Sequence, residues 1–159
     1  MSRTTSAPPA VATGSEISTL KIQKEIFVEA SIETTFESVL EQLGPESQTH
    51  DGKPFRFKLE AWPGGRWFRD LGDNTGHLWG HVQVIKPPKL IEICGPFMMS
   101  YAAANHLQYR LEPEGKGTRI KLTHQAMGTI APELRDGMPE GFEAWLKRVR
   151  DLAQNRNRK

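Results

Sequence analysis

Along most of this chain apolar and polar residues alternate with a period of two. Only twice does the period lengthen to that of a helix. In residues 20–29, Ile22, Lys24, Ile26 and Val28 take one side and Gln23, Glu25 and Phe27 the other, which predicts a strand. Phe36, Val39, Leu40 and Leu43 then recur at helical spacing, predicting a helix over 31–43 with Ser31 as N-cap and Gly44-Pro45 as its stop. The polar run 46–53 is a loop, after which Phe55, Phe57 and Leu59 alternate with Arg56, Lys58 and Glu60 in a half-buried strand. Turn signals at Pro63-Gly64-Gly65, at 72–76, at Pro87-Pro88, at Gly95-Pro96 and at 114–117 divide further strands predicted over 66–71, 77–86, 90–94, 105–111 and 118–124. Leu107, Tyr109 and Leu111 share one side of their strand, and Ile120 and Leu122 one side of the next. Residues 97–103 fit either a strand end or a loop, and 132–139 read as a polar connection. Phe142, Trp145, Leu146, Val149, Leu152 and Ala153 then lie on one helical face, opposite Lys147, Arg148, Arg150 and Asp151. So wide an apolar stripe needs a large partner, and a sheet is the only one available. The expected architecture is α+β: a curved antiparallel sheet of six or seven strands wrapped around a long C-terminal helix, with a short helix after the first strand. No repeat of fixed period interrupts this plan.

Length and composition narrow the picture. The 159 residues suit one domain with a sizeable core. Residues 1–18, rich in Ser, Thr, Ala and Pro, read as a disordered leader; 19–155 form the domain; 156–159, with Arg156, Arg158 and Lys159, form a basic tail. A net charge of +2 without a basic stripe argues against nucleic acid as a partner. Cys94 is the only cysteine, which excludes an internal disulfide and a cysteine-rich zinc site. No apolar run is long enough to span a membrane and no secretory signal is evident, so the expected location is the cytoplasm.

A sheet gripping a helix can enclose a cavity, and the candidate lining residues are Trp62, Trp67, Trp79, Tyr109, Leu122, His124, Phe142 and Trp145. Packing alone is the simpler account of the four tryptophans. Met98, Met99 and Tyr101 either rim the cavity or fill a gap. His124 follows Ile120 and Leu122 inward, where it either satisfies a structural hydrogen bond or serves as an acid-base group; Tyr109 either makes one core hydrogen bond or anchors a ligand. No metal site is expected. His77 and His81 share a strand face but stand about 13 Å apart, too far for one ion, and His106 falls on the outer face with Gln108 and Arg110. Glu92 also points outward. Arg66 and Arg69 read as edge charges rather than an anion clasp. There is no nucleophile elbow and no phosphate loop, and no cofactor is expected.

Several positions carry a resemblance. Gly64 and Gly65 follow an apolar strand, Gly80 interrupts a later one, and Pro87-Pro88 precedes Leu90. Gly117-Thr118-Arg119, Leu122-Thr123-His124 and Gly141-Phe142 follow in order. In these residues, and in the succession of strand, helix, strands and long final helix, the chain resembles the SRPBCC (START-like, birch-pollen-allergen-like) superfamily over residues 20–155. Within it, the chain is most similar to bacterial homologues of the heat-shock-protein ATPase activator. Phe142 stands where the family often has Trp, and Cys94 near where it often has an aromatic residue. The resemblance implies a helix-grip fold and a binding mode, since the superfamily includes lipid carriers, hormone receptors, polyketide cyclases and aromatases. The preferred expectation is binding of a small apolar or amphipathic molecule between sheet and helix. The alternatives are a cyclase, aromatase or hydrolase using His124, and a chaperone-associated interaction module.

Overall fold

The computed structural model describes residues 17–97 and 100–157. Seven strands form one antiparallel sheet. They are β1 (Ser18–Val28), β2 (Phe57–Leu59), β3 (Arg66–Gly72), β4 (Thr75–Lys86), β5 (Leu90–Gly95), β6 (Ala103–Glu114) and β7 (Gly117–Gly128). Helix α1 (Ile32–Gln42) follows β1, and helix α2 (Pro132–Asn157) closes the chain. Strand order is β1-β7-β6-β5-β4-β3-β2, so β1 and β2 are the edges and β1 joins the sheet through the distant β7.

Local chemistry explains most boundaries. The Ser31 side chain accepts a hydrogen bond from the Thr34 amide at 3.1 Å, capping α1 as expected. Asp73 and Asn74, at φ of 52° and 57°, make the two-residue turn between β3 and β4, a conformation that suits the twist of paired strands. The leader read over 1–18 lies mostly outside the described residues, and Ser18 already belongs to β1, opposite Gly128.

Two sequence expectations need correction. Residues 132–139 are not a connection, because α2 begins at Pro132 and continues through Pro139. Proline is compatible with the first helical turn, where no amide hydrogen bond is lost. Pro139 gives up one bond, but Met138 lies on the same buried stripe as Phe142 and extends the packed face toward the N-terminus. The second correction concerns His77 and His81, which do not share a face. Trp67 pairs with Gly80 and Phe68 with Leu78, leaving Trp79 as an extra residue, and a second irregularity follows between Val82 and Val84. The first bulge shifts the alternation, so that Trp79 and Val82 are both buried while His81 is exposed and His77 half-buried. Gly80 is required beside this bulge: a Cβ there would lie 2.6 Å from the Cys94 carbonyl oxygen.

The core lies between the concave sheet face and the two helices. It joins Ile91, Ile93, Leu107, Leu111, Ile120 and Leu122 of the sheet to Phe36 and Val39 of α1 and Phe142, Leu146, Val149 and Ala153 of α2. Polar contacts fasten α2 at its margins. Arg148 donates to Glu46 Oε1 at 2.8 Å, the Glu29 amide donates to Gln154 at 2.9 Å, and Arg156 pairs with Glu37 and Glu41. Arg156, the first residue of the basic tail, lies in the last turn of the helix and takes part in its contact with α1.

Candidate ligand site

Aromatic side chains from separate elements meet where α2 crosses the sheet. Trp67 of β3 is fully buried and donates its indole N–H to the Leu43 carbonyl oxygen at 2.7 Å, which fixes the ring against the end of α1. From Trp67 the rings form a closed circuit. Phe97 lies 5.2 Å away, His124 lies 5.8 Å from Phe97, Phe142 lies 4.8 Å from His124, Trp145 lies 5.3 Å from Phe142, and Trp145 returns to Trp67 at 6.1 Å. Trp79, Phe57 and Phe55 extend the cluster under the sheet's short edge. Edge-to-face contacts between rings of this kind contribute about 0.5–1.5 kcal/mol each beyond the burial of area.

Beside the circuit is a small cavity of ≈ 80 Å³, lined by Phe97, Met138, Gly141, Phe142 and Trp145. A wider groove of ≈ 520 Å³, also lined by Gly141 and Trp145, runs between α2 and the loop that carries Gln48, Thr49 and His50. Lys147, Arg148 and Asp151 make that groove polar. An apolar pocket and a polar groove, both open to the surface, thus share Gly141 and Trp145 in their linings.

His124 is the one titratable ring in the circuit. It is fully buried, and its Nε2 lies 2.8 Å from Asn105 Oδ1. Asn105 in turn donates its amide hydrogens to the Gly95 and Pro96 carbonyls, at 3.3 and 3.2 Å. Burial, reinforced by the charge on His106, pushes the His124 pKa down to about 4, so the ring is neutral at pH 7. Burial also pushes the Tyr109 hydroxyl far above its ordinary value. Tyr109 Oη, Trp79 Nε1 and His124 Nδ1 have no hydrogen-bond partner among the described residues.

The structure brings together Trp67, Trp79, His124, Phe142 and Trp145 of the eight sequence-predicted lining residues. Tyr109 and Leu122 are buried in the sheet as expected but outside the ring circuit. Trp62 is 58% exposed in the turn before β3 and does not join the site. Sequence reasoning missed Phe97, Met138 and Asn105. Phe97 fell in a stretch without clear periodicity, and Met138 was assigned to a connection. Asn105 had a usable signal: alternation from Leu107, Tyr109 and Leu111 places it inward too. Arg66 is engaged by Glu60 through its Nε and Nη2 at 2.9 and 2.7 Å, and this pairing holds the Glu60 carboxyl down at about 2. Arg69 lies over Phe55 and donates to its carbonyl at 3.0 Å, so both arginines are occupied within the surface. Glu92 accepts from Gln108 at 2.9 Å and lies 3.2 Å from the His106 ring on the outer face. Among the described residues no cluster of His, Cys, Asp or Glu could hold a metal ion, and no helix is long and apolar enough to cross a membrane.

Residues 29–154 match the model of the family described as activator of Hsp90 ATPase homolog 1-like protein. The chain belongs to this family. No curated protein matches it in sequence. Among solved structures, a protein from Rhizobium leguminosarum superposes with a TM-score of 0.68 at 18% identity, covering 88% of this chain and 97% of that one. A protein of unknown function from Staphylococcus aureus gives 0.67 at 11% identity, covering 91% and 99%. Ara h 8.0201 gives 0.60 at 10% identity, covering 87% and 99%. At these identities the neighbours establish the shared helix-grip fold, and the family fits a ligand-binding architecture.

Proposed function

We propose that the protein binds an apolar or amphipathic small molecule between the sheet and α2, and that it does so without chemistry of its own. The observation that carries this reading is the apolar pocket beside the ring circuit, which shares Gly141 and Trp145 with a polar groove. A molecule with an aromatic or aliphatic end and a polar end matches that pairing. The cavity is smaller than the roughly 300 Å³ of an ordinary ligand pocket, so binding requires some opening of the α2 N-terminal half. That half is suited to it: Pro139 cannot donate a hydrogen bond to Arg135, and a Cβ at Gly137 or Gly141 would touch nothing nearby.

The directions of titration weigh against acid-base catalysis. An effective base has a pKa near the working pH, whereas His124 sits near 4 and Tyr109 is pushed the opposite way. The chaperone reading would need a contiguous apolar patch; of the five large exposed apolar side chains among the described residues, Ile17 and Met127 lie together at the paired ends of β1 and β7, whereas Trp62, Leu78 and Tyr101 lie on separate turns and strands. Native mass spectrometry beside the denatured mass tests the proposal. The expected result is a reproducible extra mass, lost on denaturation, whose identity names the ligand. If the native protein carries no such mass and tryptophan fluorescence stays unchanged through a library of apolar compounds, the binding reading is wrong.

A further inference from the structure

The proton positions around His124 follow from the backbone and not from the ring itself. The Asn105 amide faces two carbonyl oxygens, Gly95 O and Pro96 O, at 3.3 and 3.2 Å. A carbonyl oxygen carries no hydrogen to donate, so the nitrogen of the amide must occupy that side and Oδ1 must face His124. An acceptor 2.8 Å from Nε2 requires Nε2 to carry the ring proton. In the neutral ring Nδ1 is then a bare lone pair, buried and without a partner among the described residues. The same ring is stacked against Phe97 at an interplanar angle of 17° and meets Phe142 at 4.8 Å; these two side chains line the pocket, and His124 itself lies behind them.

Resting on the binding role argued above, we propose that the bound molecule presents a hydrogen-bond donor, a hydroxyl or N–H on an aromatic or apolar frame, to His124 Nδ1. A buried acceptor without a donor costs stability, and a ligand that supplies one recovers it. The same geometry sets a negative preference. A carboxylate or phosphate offers only acceptors and would meet the Nδ1 lone pair with another, so anionic groups are left to the outer groove beside Lys147 and Arg148. Asn105 acts as a positioning residue, because it holds the tautomer without touching the ligand.

Phenol, toluene and benzoate make a matched set of probes, similar in ring size and different in one substituent. Titration of the full chain is followed by NMR, reading the ring nitrogens of His124 and the amides of Phe142 and Trp145. Phenol and toluene are expected to bind, with only phenol moving the Nδ1 resonance, and benzoate is expected to leave the His124 ring unperturbed. In His124→Phe the affinity of phenol relative to toluene should fall about tenfold, the size of one well-made buried hydrogen bond. If phenol and toluene both bind but Nδ1 does not respond, or if it is already protonated in the unliganded protein, the donor inference fails and the binding role stands. If neither phenol nor toluene binds, the binding role fails and this inference with it. The wild-type nitrogen shifts keep the test decisive should the variant not fold.

Discussion

At the scale of single residues, His124 ties the site to stability. Its folded pKa of about 4 lies below the ordinary 6.5, so between those values the unfolded chain holds a proton that the folded chain excludes. Stability is therefore full above about pH 6.5 and is lost as pH falls toward 4. The difference amounts to on the order of 3 kcal/mol for this one buried group. Urea unfolding at pH 7, 5.5 and 4 should show this acid limb, and His124→Phe should flatten it; an unchanged slope in the variant would assign the limb to other groups. The inward direction of His124 was legible in the sequence, because it continues the alternation of Ile120 and Leu122. Its tautomer was not, since that depends on Asn105 and on two carbonyls of the Gly95-Pro96 turn, a contact no periodicity encodes. Trp62 marks the opposite failure. A large aromatic beside a turn looks like cavity lining by type, yet nothing in its neighbourhood pulls it inward.

At the scale of elements, β4 is where the simple pattern breaks. Strict alternation predicts one regular strand, and the two irregularities displace half of it by one position. Gly80 permits the close approach of β4 and β5, with Cys94 O directly in the path of any side chain. Gly80→Ala should cost about 1–3 kcal/mol, seen as a lowered Tm, and should alter the environment of the neighbouring Trp79. A variant as stable as the parent would mean that the strands can separate without penalty. Helix α2 teaches a related lesson. Its C-terminal half was legible from the stripe through Ala153, whereas Pro139 disguised the N-terminal half. Proline is a reliable helix breaker in an isolated segment, but Met138 and Phe142 bury enough apolar surface to outweigh one missing hydrogen bond.

At the scale of the whole molecule, the order of elements could be read before any coordinates, because it depends on turn residues and period, and the family followed from the resemblance carried by motifs such as Gly117-Thr118-Arg119 and Gly141-Phe142. The size of the interior space could not be read in this way. It is the small difference between the volume enclosed by sheet and helix and the volume of side chains that fill it, and only packing decides that. Trp145 is one of the side chains through which the two layers meet, touching Phe142 on its own helix and Trp67 on the sheet. Trp145→Ala should merge the apolar pocket with the polar groove, lower stability by about 2 kcal/mol and weaken retention of the ligand. Denaturant unfolding and native mass spectrometry check the two effects separately. Loss of stability with undiminished retention would place the ligand elsewhere.

The pairing of β1 with β7 has a consequence for the nascent chain. Ser18 and Gly128 are 110 positions apart, so the first strand leaves the ribosome on the order of ten seconds before its partner exists. Throughout that interval Ile22, Ile26 and Val28 form an unclaimed sticky edge. The interleaved Lys21, Lys24 and Glu25 then act as gatekeepers against pairing with other chains. Their charge serves the protein before it has folded.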